Sequence, residues 1–355
     1  MMKRPLLLLS AMMFAGLASA QSSVTLFGLL DMTLARSTGS IADKSQLTQG
    51  AWGASRLGFK GVEDLGGGLS AGFWLESAVF PDNGTGGATN INNQSSGTSV
   101  APNGTQGLTF NRRSTVSLVG GLGEVRIGRD FVPTFWNLNR GDVFGSSGAG
   151  QAVNFSNQIA GTGNASVRAS NMITYWVPQN STGFGGSIAH YFGENASNTA
   201  NSNDGTGSGA QLFYNAGGAF TAGVAYGRTK YLTGDAVARN ISATYDFKVA
   251  KLVGEYSKDS LGAANATGGA IGLTVPVGAN VPRVAYSWVG NDAAGNPKIK
   301  RFAIGDTYYL SKRTWMYVTY SHQSNSGGSS AALDGAITGP NASSNALELG
   351  YVHSF

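Results

Sequence analysis

The 355-residue chain has no cysteine, three histidines and nine prolines, and only 12% of its residues are charged, against roughly 25% in ordinary globular chains. Without cysteine there is no disulfide scaffold and no thiolate-ligated zinc or iron–sulfur centre. Three histidines with no HExxH pair are too few for a histidine-built catalytic metal site. After residue 20 no stretch approaches eighteen consecutive apolar residues, so helices do not cross a membrane. The 53 glycines interrupt nearly every window that an amphipathic helix would need. They follow no three-residue period, which excludes collagen. Nor do the glycine-rich segments lead into a lysine and a helix, so phosphate-loop and nucleic-acid readings fail and no cofactor is expected.

What is present starts with a leader. Lys3 and Arg4 precede an uncharged apolar run from Pro5 to Leu17, and Ala18-Ser19-Ala20 forms a small-residue cleavage pattern. Residues 1–20 are therefore expected to be a signal peptide cut near Ala20, leaving residues 21–355 as the mature chain. Losing Lys3 and Arg4 leaves 22 basic against 19 acidic residues, a formal charge of +3.

The mature chain alternates apolar and polar residues with period two, in pieces of about ten residues. Val24, Leu26, Gly28 and Leu30 share one face in this way, as do Leu57 and Phe59, Ile173, Tyr175 and Val177, and finally Leu347, Leu349, Tyr351, His353 and Phe355. Sixteen such segments start near residues 23, 52, 68, 109, 124, 167, 184, 209, 219, 239, 249, 266, 281, 299, 314 and 345. Tight connectors such as Gly120–Gly123 and Ser311–Arg313 alternate with long Asn/Gly/Ser/Thr-rich ones near 81–108, 131–166, 194–208, 229–238 and 324–344. An even number of antiparallel strands, turns at one rim and loops at the other, predicts an all-β fold: a sixteen-stranded transmembrane β-barrel, wide enough for an aqueous lumen. A secreted β-helix would share the turns and the alternation. It would not need aromatic residues at strand ends, and Trp52, Phe73, Trp74, Trp176, Tyr308, Tyr309, Trp315, Tyr317 and Tyr351 are read as the two interfacial girdles.

Several stretches resemble the general porins of β-proteobacteria, with the nearest likeness to the anion-selective type of Comamonas and Delftia. They are Ser23–Gly28, Ser55–Gly68, Arg112–Leu118, Gly123–Asp130, Tyr309–Thr314 and Gly350–Phe355, and together they span the mature chain. The resemblance implies a homotrimer in the Gram-negative outer membrane, in contact with its lipids. Each barrel would carry a third loop, about residues 131–166, folded into the lumen as a constriction. Its length exceeds the usual four to six residues. Phe131, Phe135, Trp136, Leu138, Val143, Phe144 and Phe155 are available to pin it, whereas the 81–108 insert reads as exposed and mobile.

In a pore the chemistry lies in the charges that point inward. Alternation turns Arg56, Glu76, Arg113, Arg126 and Arg168 toward the lumen. The resemblance instead assigns Arg112, with Arg56 and Arg168, to a ladder facing the loop, so Arg112 and Arg113 both stay candidates, reconcilable by a bulge. Asp142 is the chief loop acid. Unpaired guanidinium groups in a narrow neck attract anions at every relevant pH, so a channel for small hydrophilic solutes and ions, preferring anions, is expected. A substrate-specific channel is the alternative. A barrel enzyme is a distant one, because no GxSxG elbow occurs and neither His190 nor His322 has a carboxylate nearby in sequence. The aromatic Phe355 is expected to act as an assembly signal.

Overall fold

The computed structural model describes residues 23–94, 107–153 and 166–355; the expected leader and its cleavage site at Ala20 lie outside them. The strands are β1 Ser23–Thr38, β2 Lys44–Gln49, β3 Arg56–Gly66, β4 Leu69–Phe80, β5 Thr85–Gly86, β6 Arg113–Gly120, β7 Gly123–Phe131, β8 Arg168–Val177 and β9 Phe184–Tyr191. After them come β10 Gly207–Asn215, β11 Phe220–Thr229, β12 Ala236–Asp246, β13 Lys251–Leu261, β14 Ala264–Thr274, β15 Arg283–Asn291, β16 Lys298–Tyr309, β17 Thr314–Ser326 and β18 Ser344–Ser354. One helix, α1 Pro133–Asn139, is described. Pairing is antiparallel throughout and runs between sequence neighbours, except that β2 and β3 both pair with β1 and β4 pairs with both β5 and β6; β1 closes the cylinder by pairing Leu29–Thr38 with Asn345–Ser354 of β18.

These strands make sixteen staves. β2 and β3 are successive pieces of one stave, both paired along β1, while β5 is a two-residue excursion off β4. The sequence places the second strand near residue 52; it begins at Lys44 and is broken at 50–55. The Asp31 carboxylate causes the break by accepting the backbone N–H of Trp52 (2.8 Å) and Gly53 (3.0 Å), which folds this segment into the lumen. Lys44–Gln49 escaped the alternation because Leu47 is its only large apolar residue.

Polarity is inverted relative to a soluble protein, as lipid demands. Val24, Leu26 and Leu34 face outward at 70%, 55% and 61% exposure, while Asp31 and Thr33 between them are at 0%. The connections of one rim are short (residues 67–68, 121–122 and 310–313), and the other rim carries 81–112, 132–167, 192–206 and 327–343. The long loop expected over 229–238 is only residues 230–235.

Two further expectations need correction. Trp52, Trp315 and Tyr317 are not girdle residues: they turn inward and pack with Leu29, Ala51 and Val352, because the infolded 50–55 segment creates an apolar patch inside the wall. Trp74 and Trp176 also lie on the inner wall, beside arginines. Phe73, Tyr308 and Tyr351 keep the outward parity. The second correction concerns the described part of 81–108, which docks on its own barrel instead of standing free. Asn93 Nδ2 donates to the carbonyls of Ser170 (2.8 Å) and Phe192 (3.1 Å), Asn93 Oδ1 accepts Ser170 N–H, and Gln94 Nε2 donates to Gly193 O. Arg129 completes the clamp through Asn111 O and Ser170 Oγ.

Candidate pore constriction

The chain leaves β7 into the lumen rather than over the rim. Pro133 sits in the first turn of α1, where a missing N–H costs nothing, and Asn137, fully enclosed, ties the helix to β12. Its Nδ2 donates to Asn240 Oδ1 (2.8 Å) and its Oδ1 accepts from Ser242 Oγ (3.1 Å). Glycine at 223 on β11 is required here, since a Cβ would lie 2.0 Å from Asn137 Oδ1. Beyond the helix, Arg140 donates to Gln211 Oε1 (2.8 Å) and lies over the Phe213 ring. Phe144 then packs on Ala285 and Ala303. Further on, Val153 N–H donates to Ser287 Oγ, Gln151 O accepts from Arg301, and Ala149 N–H donates to Glu348. Residues 132–153 thus follow the inner wall from β9 round to β18. Of the expected pins, Phe131 stacks on Phe135 and meets Trp136 edge-on, while Leu138 and Phe144 are buried; Phe155 lies outside the described residues.

Asp142 does not face the pore. Its carboxylate accepts the backbone N–H of Phe144 (2.8 Å), Ser146 (2.9 Å) and Ala152 (2.9 Å), knotting the loop onto itself. Enclosure pushes this carboxyl above its ordinary pKa, against the downward pull of those amides and of Arg301.

The loop leaves the wall from β3 to β8 open, and the cations are there. Arg112, just before β6, donates Nε to Glu76 Oε1 at 2.5 Å, and Glu76 also accepts from Trp74 Nε1. Arg113 lies on the same inner face, 3.6 Å from Asp130 and over the Trp74 ring. Both candidates are therefore inward, since Arg112 sits where β6 has not yet begun its regular pleat. Arg56 is in electrostatic reach of Arg112 and Glu76. Arg168 reaches the cluster by another route than simple alternation. An extra residue at Asn171 (φ +55°) shifts the parity of β8, and Arg168 lies over Phe131 with Nε on Arg112 O (2.8 Å). Arg126 is held by Glu124 (2.8 Å) and Asp130 (2.5 Å) and stacks on Trp176.

Sequence reasoning passed over Lys60, which shares the parity of Arg56 and lies between the Phe27 and Trp74 rings at 5.6 and 5.0 Å. That shared parity was the available signal. Among the described residues this open wall sets Arg56, Lys60, Arg112, Arg113, Arg126 and Arg168 against Glu76, Glu124, Asp130 and, at the short-turn end of β3, Asp64. At its end, Phe355 exchanges both backbone hydrogen bonds with Gly28, and its ring lies where a Cβ at Gly28 would be.

Comparison with known proteins gives a consistent result. Residues 7–328 match the model of a family described as Gram-negative porin. Outer membrane porin protein 32 of Delftia acidovorans is 35% identical over 346 residues, covering 94% of this chain and 92% of its own. A porin protein of Bordetella pertussis is 28% identical, over 88% and 91% of the two chains. Among solved structures, the anion-selective porin from Comamonas acidovorans superposes with a TM-score of 0.80 at 31% identity, covering 94% of this chain and all of that one. The trimer form of OmpT from Vibrio cholerae shares the fold at 13% identity and a TM-score of 0.65.

Proposed function

The chain belongs to the Gram-negative porin family, a family of outer-membrane channels, and on that premise we propose that its pore prefers anions and works within a homotrimer. The observation that carries the anion preference is the imbalance on the open wall. Six cations there meet four carboxylates, one of them Asp64 at the short-turn end, while Asp142 is spent on backbone amides rather than offered to the lumen. A solute passing the loop gives up part of its hydration in a neck with low-dielectric walls, where a surplus of guanidinium groups attracts anions and repels cations. Arg56, Arg112, Arg113 and Arg168 form the selective face. Glu76 positions Arg112, and Arg126 is largely neutralised by its two acids. No nucleophile–base pair enters into this chemistry, and the molecule acts as a passive conduit for small hydrophilic solutes and anions, not as an enzyme. Residues 1–20 would direct export and be cleaved near Ala20, with Phe355 marking the chain for assembly.

The zero-current potential across a salt gradient in planar bilayers tests the reading. Replacing Arg56 and Arg168 by Ser removes two charges from the lumen and none from the lipid face. Two charges about 6 Å from the ion path at an effective dielectric near 40 amount to roughly 2–3 kcal/mol before screening. At 0.1 M salt, with a Debye length of about 10 Å, about 1 kcal/mol remains, a several-fold fall in the anion-to-cation permeability ratio. The shift should grow as salt is lowered. An unchanged potential at low salt would remove both residues from the filter, and a shift equal at all salt concentrations would point to pore shape instead of charge.

A further inference from the structure

Outside the lumen, one patch of the barrel has chemistry that channel function does not use. On the lipid-facing side of β13 and β16, near the long-loop rim, Lys258, Lys298 and Lys300 are exposed and form no ion pair among the described residues. Nearer mid-membrane on the same outward parity come Tyr256, Tyr286, Trp288 and Phe302, all exposed. Cations on a barrel's outer wall are costly at mid-membrane and inexpensive only near the interface; three within one region, immediately above an aromatic belt, are at headgroup height.

The wall between them is notched. Thr267 and Gly290 lie in the row between Lys258 and Lys298, since Lys258 pairs with Thr267, Thr267 with Gly290, and Gly290 with Lys298. The result is a recess of about 500 Å³, with Lys298 and Lys300 on one wall, Trp288 at its foot, and Asn265, Asn296 and Asp292 at its head. Two glycines shape it. A Cβ at Gly290 would be 3.2 Å from Lys298 Cγ, so that stem lies across the glycine, and one at Gly269 would meet the Trp288 ring at 2.7 Å, so the indole lies flat on β14. The Asp292 carboxylate at the head accepts from Asn265 N–H (2.7 Å) and Nδ2 (2.8 Å), which directs it toward the loop.

We propose that this recess binds the phosphate of a membrane lipid headgroup in the leaflet at the long-loop rim, with Lys298 and Lys300 as the principal ligands, Lys258 at the far edge, and the acyl chains descending past Trp288 and Tyr286. The lysines supply point charges for a phosphate whose geometry need not be fixed. Asn265 Nδ2 is committed to Asp292 and Ala263 O, so Asn296 is the amide facing a polar headgroup, and the aromatic foot fixes the depth.

Native mass spectrometry of the purified, folded protein in detergent, titrated with bisphosphorylated lipid A, tests it. The double variant Lys298→Gln/Lys300→Gln should bind the lipid roughly tenfold more weakly or worse, with unchanged potassium chloride conductance because no lumen residue is altered. The variant Lys312→Gln/Arg313→Gln, with two exposed cations removed from the opposite rim, should bind as the parent does. Equal binding by the Lys298/Lys300 variant and the parent would overturn the proposal, as would equal binding by the parent of lipid A stripped of phosphate. Inorganic phosphate competing at the same concentration as the lipid would reduce the recess to an ion site, and a shift in subunit number in the double variant would make it a subunit contact; either result also overturns it.

Discussion

At the scale of single residues, the pore is tuned by neutralisation as much as by charge. Arg112 is the clearest case, since its guanidinium is matched by Glu76 at 2.5 Å. Replacing Glu76 by Gln should release that charge to the lumen. One charge about 6 Å from the ion path is worth on the order of 1 kcal/mol before screening, so an anion-to-cation ratio about threefold higher is expected at low salt, read from the zero-current potential. The same scale shows where alternation stops being a guide. Parity picked out Arg56, Glu76, Arg113 and Arg126 correctly as inward, because β3, β4, β6 and β7 are regular there. It could not decide Arg112, which precedes a strand, nor foresee that Arg168 reaches its place past a bulge. Asp142 was legible as a loop acid, but that its lone pairs go to three amides depends on a tertiary turn no local pattern encodes.

At the scale of elements, the infolded loop is held by polar contacts more than by its rings. The Asp142 knot is its main internal brace, and Asn137 is its main tie to the wall. Asp142→Asn keeps the shape but gives the three amides a neutral acceptor in place of a charged one, and it turns a donor group toward N–H groups that need an acceptor. Hydrogen bonds to charged groups contribute about 1.5–3 kcal/mol, so the loop should fluctuate more. Single-channel recordings should show added open-channel noise, and limited proteolysis should cut within 132–153 while the barrel stays intact. Quiet channels and an uncut loop would assign the anchorage to Asn137 and Phe144 instead. Element lengths were largely readable from turns and alternation, and fifteen of the sixteen staves begin within a few residues of their expected places. The second stave was placed near residue 52 without its first piece, Lys44–Gln49, because the break at 50–55 depends on Asp31 of β1, about twenty residues earlier in the chain. The inward aromatics Trp315 and Tyr317 were misassigned for a related reason: an apolar patch inside a water-filled barrel exists only once the 50–55 segment has folded in.

At the scale of the whole molecule, the cylinder depends on one seam. β1 and β18 meet over ten residue pairs, and the last residue completes the seam through Gly28. A Cβ at Gly28 would lie 2.3 Å from the Phe355 ring and 2.8 Å from Arg56 O. Gly28→Val should therefore lose about 1–3 kcal/mol, as overpacked sites do, measured by urea unfolding in lipid vesicles. Deleting Phe355 should lower the yield of heat-modifiable folded protein while leaving export across the inner membrane unchanged; normal yield would remove the terminal residue from assembly. The seam also sets the order of events in the cell. Every other stave can find its partner a few tens of residues away, but the first must wait for the last, so closure cannot begin before β18 has been made. Until then β1 presents an unpaired edge that would pair with any strand it met, and bringing the two chain ends together carries the largest loop-closure entropy in the fold. A chain that lacks β18 has no strand to close on Leu29–Thr38 of β1, and an open sheet edge has no partner in lipid. Removing β18 should therefore leave a protease-sensitive chain that forms no channel, read by limited proteolysis and bilayer recording.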